Sequence, residues 1–93
     1  MGNSYTYFAH AIYHDHNGEK QGRQYIIDAE TDLAALQELI IRMDVLNALD
    51  IEEMPQDFEG CIELLGELWP TSTSYVQIIQ NLDTEQTIYD HYA

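Results

Sequence analysis

The repeat of apolar positions switches between two periods along this chain, and each switch marks an element. "SYTYFAHAIYH" alternates and is rich in aromatics, and "RQYIIDA" alternates in return. Between them Asn17-Gly18 is the dipeptide that best tolerates the positive φ angles of a tight hairpin turn, so the two runs predict paired strands. Thr31 or Asp32 then supplies helix-start chemistry, and acids near the first turn suit the helix dipole. Leu33, Leu36, Leu39, Ile40, Met43 and Leu46 follow at three-to-four spacing, which predicts one helix running to about Asn47 with that stripe in the core.

"LDIEEMPQDFEG" reads as an acidic connection. Pro55 can open a second helix that carries Phe58, Ile62, Leu65 and Leu68 inward, or the helix begins only after Gly60, since Gly60 and Gly66 each cost about 1 kcal/mol in a helix interior. Trp69-Pro70 is the expected end. "SYVQIIQ" and "QTIYDHY" alternate around "NLDTE" as a second hairpin. The expected order is ββααββ. This is an α+β fold with a mostly antiparallel four-stranded sheet and two helices on one face, spanning residues 1–93 as one acidic domain without internal repeats.

Alternation does not decide which face the tyrosines take. "TYFAHAIY" has apolar residues at both parities, so Tyr5, Tyr7, Tyr13, Tyr89 and Tyr92 fit either a core or an exposed dimer face, and a homodimer stays open.

Composition narrows the picture. Of 93 residues 45% are apolar, with seven tyrosines, two phenylalanines and one tryptophan, which is enough to fold around one core despite the charge. The single cysteine, Cys61, excludes an intramolecular disulfide and fits a reducing compartment. No basic segment followed by an apolar run opens the chain and no run approaches a membrane span, so the expected location is the cytoplasm. The formal charge is −14, with only Lys20, Arg23 and Arg42 as cations and none after Arg42, while eleven acids lie from Asp44 to Asp90. Direct contact with nucleic acid or an anionic membrane would set like charges together without a basic stripe to offset them. The favoured partner is a basic protein surface.

His10, His14 and His16 share strand parity. Residues four apart on a strand are roughly 13 Å distant, so His10 cannot join His14 on one ion of about 2.0 Å ligand distance. Only His14 with His16, and His91 as a third ligand, would make a metal site. Exposed histidines beside a turn are the commoner case, and no metal or cofactor is expected. Catalysis needs carboxylates in unlike environments, and no buried pair is marked. Cys61 sits on or beside an apolar helix face with no base nearby, which describes a structural thiol. The chain lacks a phosphate loop and a serine elbow, and no enzyme is expected.

The acids carry the remaining signal. On a helix Glu59, Glu63 and Glu67 form a ladder with about 6 Å of rise per step. Glu52, Glu53 and Asp57 flank it, with Asp44 and Asp50 as outer contributors. Like charges at this spacing destabilise a helix by about 0.2–0.5 kcal/mol per pair. One DNA strand carries a phosphate per about 3.4 Å, so the ladder is about half as dense, and Asp83, Glu85 and Asp90 would have to share its face to fill the gap.

Two stretches resemble the ArdA-type antirestriction proteins of plasmids, phages and transposons. Their first strand, a turn of the kind "aYNNGxxxGxW" and a strand ending "IDA" are similar to "IYHDHNGEKQGRQYIIDA" here. Their acidic "EEW", "HDYEG" and "GEY" are similar to "IEEMPQDFEG" and "LLGELW", so that the resemblance spans roughly Tyr13 to Trp69. Glu52 and Glu53 fall at the "EEW" positions, Asp57 and Glu59 at "DYEG". Gln56 stands in place of the histidine, Met54 in place of the tryptophan, and the chain is little more than half the usual length. The resemblance implies a mimic of double-stranded DNA that occupies the DNA groove of a restriction-modification enzyme, or of another target such as a CRISPR effector or nucleoid protein. An immunity protein or antitoxin that caps one basic toxin is the alternative, and a small metal-responsive module built on His14 and His16 is a third.

Overall fold

The computed structural model describes residues 4–14, 17–71 and 74–91, with the side chains of residues 67–71 and 74 outside the description. Its elements run β1 (Tyr5–His14), β2 (Lys20–Ala29), α1 (Asp32–Arg42), α2 (Val45–Ala48), α3 (Phe58–Thr71), β3 (Ser74–Asn81) and β4 (Gln86–Asp90). The strands form one sheet in the order β2-β1-β3-β4, antiparallel at every pairing. This is the expected α+β order, with a short extra helix. Gly18 takes φ 81° in the first turn, as its missing Cβ permits. The return strand starts at Lys20, three residues before the expected Arg23, so β1 and β2 pair over their full length from Tyr5–Ala29 to His14–Lys20. Strands of ten residues are about 33 Å long, well short of the longest of the 46 × 27 × 22 Å dimensions.

One sheet face is built into the core. Tyr7, Ala9 and Ala11 of β1 are buried, as are Ile27 of β2 and Val76 and Ile79 of β3. On all but Ala11 pack Ala35, Leu36, Leu39 and Ile40 of α1, Val45 of α2, and Cys61, Leu64 and Leu65 of α3. Burial therefore settles the tyrosines that alternation left open: Tyr7 is 1% exposed, and Tyr5 and Tyr89 pack partly buried against the same core. Tyr92 lies outside the described residues.

The first helix is not continuous to Asn47. Thr31 caps it, its Oγ1 accepting from Ala34 N at 3.1 Å, but it ends at Arg42 and Asp44 turns left-handed at φ 56°. Aspartate tolerates that region better than most residues, and here Asn47 Nδ2 donates to its Oδ2 at 3.3 Å. On an unbroken helix at 100° per residue, Val45 would lie about 170° from the centre of the Leu36/Leu39/Ile40 stripe. The break turns it inward, where it is fully buried.

The second long helix begins at Phe58, between the two expected starts, and continues through Trp69-Pro70 to Thr71. Phe58 was expected inward and is instead 41% exposed. It is the first residue of α3, at the end of the helix layer, and the buried stripe is Cys61, Leu64 and Leu65 with Ile62 only partly covered. Leu68 lies outside the described side chains.

The opposite sheet face carries no described helix. Cross-strand register arranges it in rows: Asp28–Thr6, Ile26–Phe8–Gln80, Gln24–His10–Ile78–Asp90, Gly22–Ile12–Tyr75 and Lys20–His14. Thr6 Oγ1 donates to Asp28 Oδ1 across the first row at 3.2 Å. The His10 ring lies over Gly22, where a Cβ would stand 2.6 Å from Nε2. Tyr75 is buried beneath His91, with ring centroids 4.8 Å apart.

Candidate acidic interface

The acids fall into two groups. Some hold the fold: Asp57 Oδ1 accepts from Gly60 N at 2.7 Å at the start of α3, Asp83 Oδ2 accepts from Thr6 N at 2.6 Å, Asp32 Oδ1 accepts from Tyr7 OH at 2.8 Å, and Glu38 pairs with Arg42 at 3.0 Å. Asp50, Glu52, Glu53, Glu59 and Glu63 do none of this. They are exposed, and their carboxylates have no hydrogen-bond or ion-pair partner among the described residues.

These five lie in the α2–α3 connection and the first two turns of α3. Glu59 and Glu63 stand one helical turn apart on the solvent side of α3, opposite Cys61, Leu64 and Leu65. Glu67 is on the same helix, but its side chain lies outside the description. The connection is pinned at several points. Ile51 N donates to Leu46 O at 2.8 Å, Gln37 Nε2 donates to Pro55 O at 2.8 Å, and Ile51 and Met54 pack against the core. Glu52 and Glu53 are thus displayed on a tethered loop, and little conformational entropy is left to lose when a partner binds. Gln37 was not singled out in the sequence. An amide on a helix face gives no sign of the distant carbonyl it will meet.

The wider acidic set does not share this surface. Asp90 stands in register with Ile78 on the open sheet face, and Asp83 and Glu85 sit in the β3–β4 turn. Asp44 lines a pocket of about 310 Å³ with Ala11, Tyr13, Arg23, Tyr25, Arg42 and Met43. There two of the chain's three cations offset it. Arg23 lies over the Tyr13 ring at 5.2 Å, and Arg42 Nη1 donates to Ile26 O at 3.0 Å. The cations gather around β2 and the end of α1, and the α2–α3 acids lie beyond them in the chain.

His10 and His14 do share one sheet face, and His16 lies outside the described residues. No three His, Cys, Asp or Glu side chains among the described residues are grouped to hold a metal ion. Burial, and secondarily the Asp57 charge, raises the Cys61 thiol above its ordinary pKa, so it stays protonated and unreactive. Among the described residues no helix is long and apolar enough to cross a membrane.

Fold and surface together define a class: an α+β protein with exposed carboxylates in the α2–α3 connection and on the solvent side of α3 that lack a side-chain partner among the described residues. Comparison with protein-family models, curated proteins and solved structures returned no match.

Proposed function

We propose that this protein is a small cytoplasmic inhibitor, not an enzyme, that sets the ridge Asp50, Glu52, Glu53, Glu59 and Glu63, continued by Glu67, against the basic groove of a DNA-processing protein. The observation that carries the reading is the absence of any described partner for those exposed carboxylates on a tethered loop and helix. Isolated like charges of this kind only lower stability, whereas a cationic groove would reward them. Asp57, exposed and bonded to Gly60 N through one oxygen, adds its charge, and Asp44 is a minor contributor because arginines share its pocket.

The resemblance to ArdA-type proteins names the target class: a restriction-modification enzyme, with a CRISPR effector as the neighbouring case, opposed by a protein carried on a mobile element. Binding would be fast at low salt and weaken as salt screens the ridge. The test is competition with duplex DNA for a type I restriction enzyme and for an RNA-guided nuclease, in about 0.05 M and about 0.3 M salt. Displacement of DNA at low salt, lost in a Glu59→Gln/Glu63→Gln/Glu67→Gln variant of unchanged fold, supports the proposal. Equal potency of that variant removes the ridge from the mechanism. Capture of one cognate basic toxin, with indifference to every DNA-binding protein, would instead favour the immunity reading.

A further inference from the structure

We infer that the open sheet face is the seat of a second copy of this chain, packed face to face about a two-fold axis. The centre of the face carries Phe8, Ile12, Ile26 and Ile78 around His10, with Asp90 at the β4 edge of the same row. Ile26 is 55% exposed although it sits in mid-strand. A large apolar side chain in that position is what a monomer avoids and an interface uses.

The ends of the face name the occupant. Lys20 marks one end of β2 and Asp28 the other, both on the open side, as their partners His14 and Thr6 show. Eight residues separate them, about 26 Å along the strand. A two-fold axis lying in the interface and crossing the strands at the His10 row lays β2 on the partner's β2 in reverse. Lys20 of each copy then meets Asp28 of the other, twice. Such self-complementarity is the mark of an isologous interface, and sheets pack nearly aligned in this way.

Area and charge set the strength of that arrangement. The five rows place fourteen residues on the face, roughly 450 Å² per copy at strand spacing. Two copies bury about 900 Å², the size of a weak, reversible association. The axis row brings Asp90 of each copy toward the other at the β4 edge, an exposed rim position where solvent and salt screen the repulsion; the remaining acids are more distant. With sheets about 10 Å apart and a helix layer outside each, the acidic ridges stand about 30 Å from one another, several Debye lengths at physiological salt.

The experiment is sedimentation equilibrium on the full chain at neutral pH and 0.15 M salt, over roughly 10 µM to 1 mM. The expected mass is twice 10.8 kDa. Ile26→Lys, a change at an exposed site, should give the monomer mass with an unchanged circular dichroism spectrum. Lys20→Asp and Asp28→Lys should each weaken association by about ten-fold or more, and the double exchange Lys20→Asp/Asp28→Lys should restore it, because the pairs re-form with signs reversed. A wild-type monomer throughout the range overturns the inference and leaves the face to a different partner. So does an Ile26→Lys dimer, or a double exchange no tighter than the single variants.

Discussion

The Tyr7 hydroxyl donates to Asp32 Oδ1 at 2.8 Å, tying a central strand to the first turn of α1 across the core. Burial first, then the hydrogen bond and charge of Asp32, push the tyrosine up from the ordinary 10.0 to about 12. The folded protein thus favours the neutral phenol. Its stabilisation is complete below the unfolded value and is lost as pH rises through 10 to 12. In urea titrations wild type should lose stability across that window more steeply than Tyr7→Phe. At neutral pH the variant should be about 1–2 kcal/mol less stable, since Asp32 loses a partner. Parallel slopes for the two proteins would show that Tyr7 titrates with the other tyrosines.

Asp57 combines a cap with a charge, and two substitutions separate them. Asp57→Asn keeps an oxygen for Gly60 N and should melt within a few tenths of a kcal/mol of wild type, whereas Asp57→Ala should cost about 1 kcal/mol. In the competition assay both lose the charge and should weaken binding alike. If Asp57→Asn binds as wild type does, Asp57 acts on the helix alone.

Asp50 adopts φ 56° without a side-chain hydrogen bond among the described residues. Asp50→Gly should therefore fold with stability equal to wild type or up to about 0.5 kcal/mol higher, strain relief offsetting chain entropy. A β-branched residue cannot share that backbone, and Asp50→Val should cost about 1–2 kcal/mol. Denaturant midpoints measure both.

Cys61 is fully buried and its thiol is held protonated. Reaction with an aromatic disulfide reagent should be negligible in native buffer. It should rise in step with the unfolded fraction as urea is added, following global opening. Stoichiometric labelling within minutes in native buffer would mean that α3 opens independently of the sheet.

Much of this protein is legible in its residues. The alternation around Asn17-Gly18 and around "NLDTE", the Thr31 cap, and the three-to-four repeat from Leu33 each follow from local backbone chemistry, and the structure repeats them with ends shifted by a few residues. Local chemistry does not extend to the break at Asp44. An aspartate within an apolar repeat is tolerable on a helix surface, and only the gain of burying Val45 in the core makes the left-handed turn preferable. Phe58 fails for a related reason. Period says which side of a helix a residue takes, and the length of the underlying layer says whether anything covers it.

The acidic surface divides along the same line. The excess of carboxylates and the stretch that holds them are properties of the chain, counted without coordinates. Their sorting is a property of the fold. Asp44 shares a pocket with two arginines because α1 ends over β2, Asp90 lies behind the sheet because of its register with Ile78, and Asp57 is drawn into a cap. Charges act through space, and the chain order of residues far apart says little about which will be neighbours. Strand parity likewise offered two equivalent faces, and the helices chose between them by covering Tyr7, Ala9 and Ile27 and leaving Ile26 exposed and Phe8 and His10 half-buried on the other side.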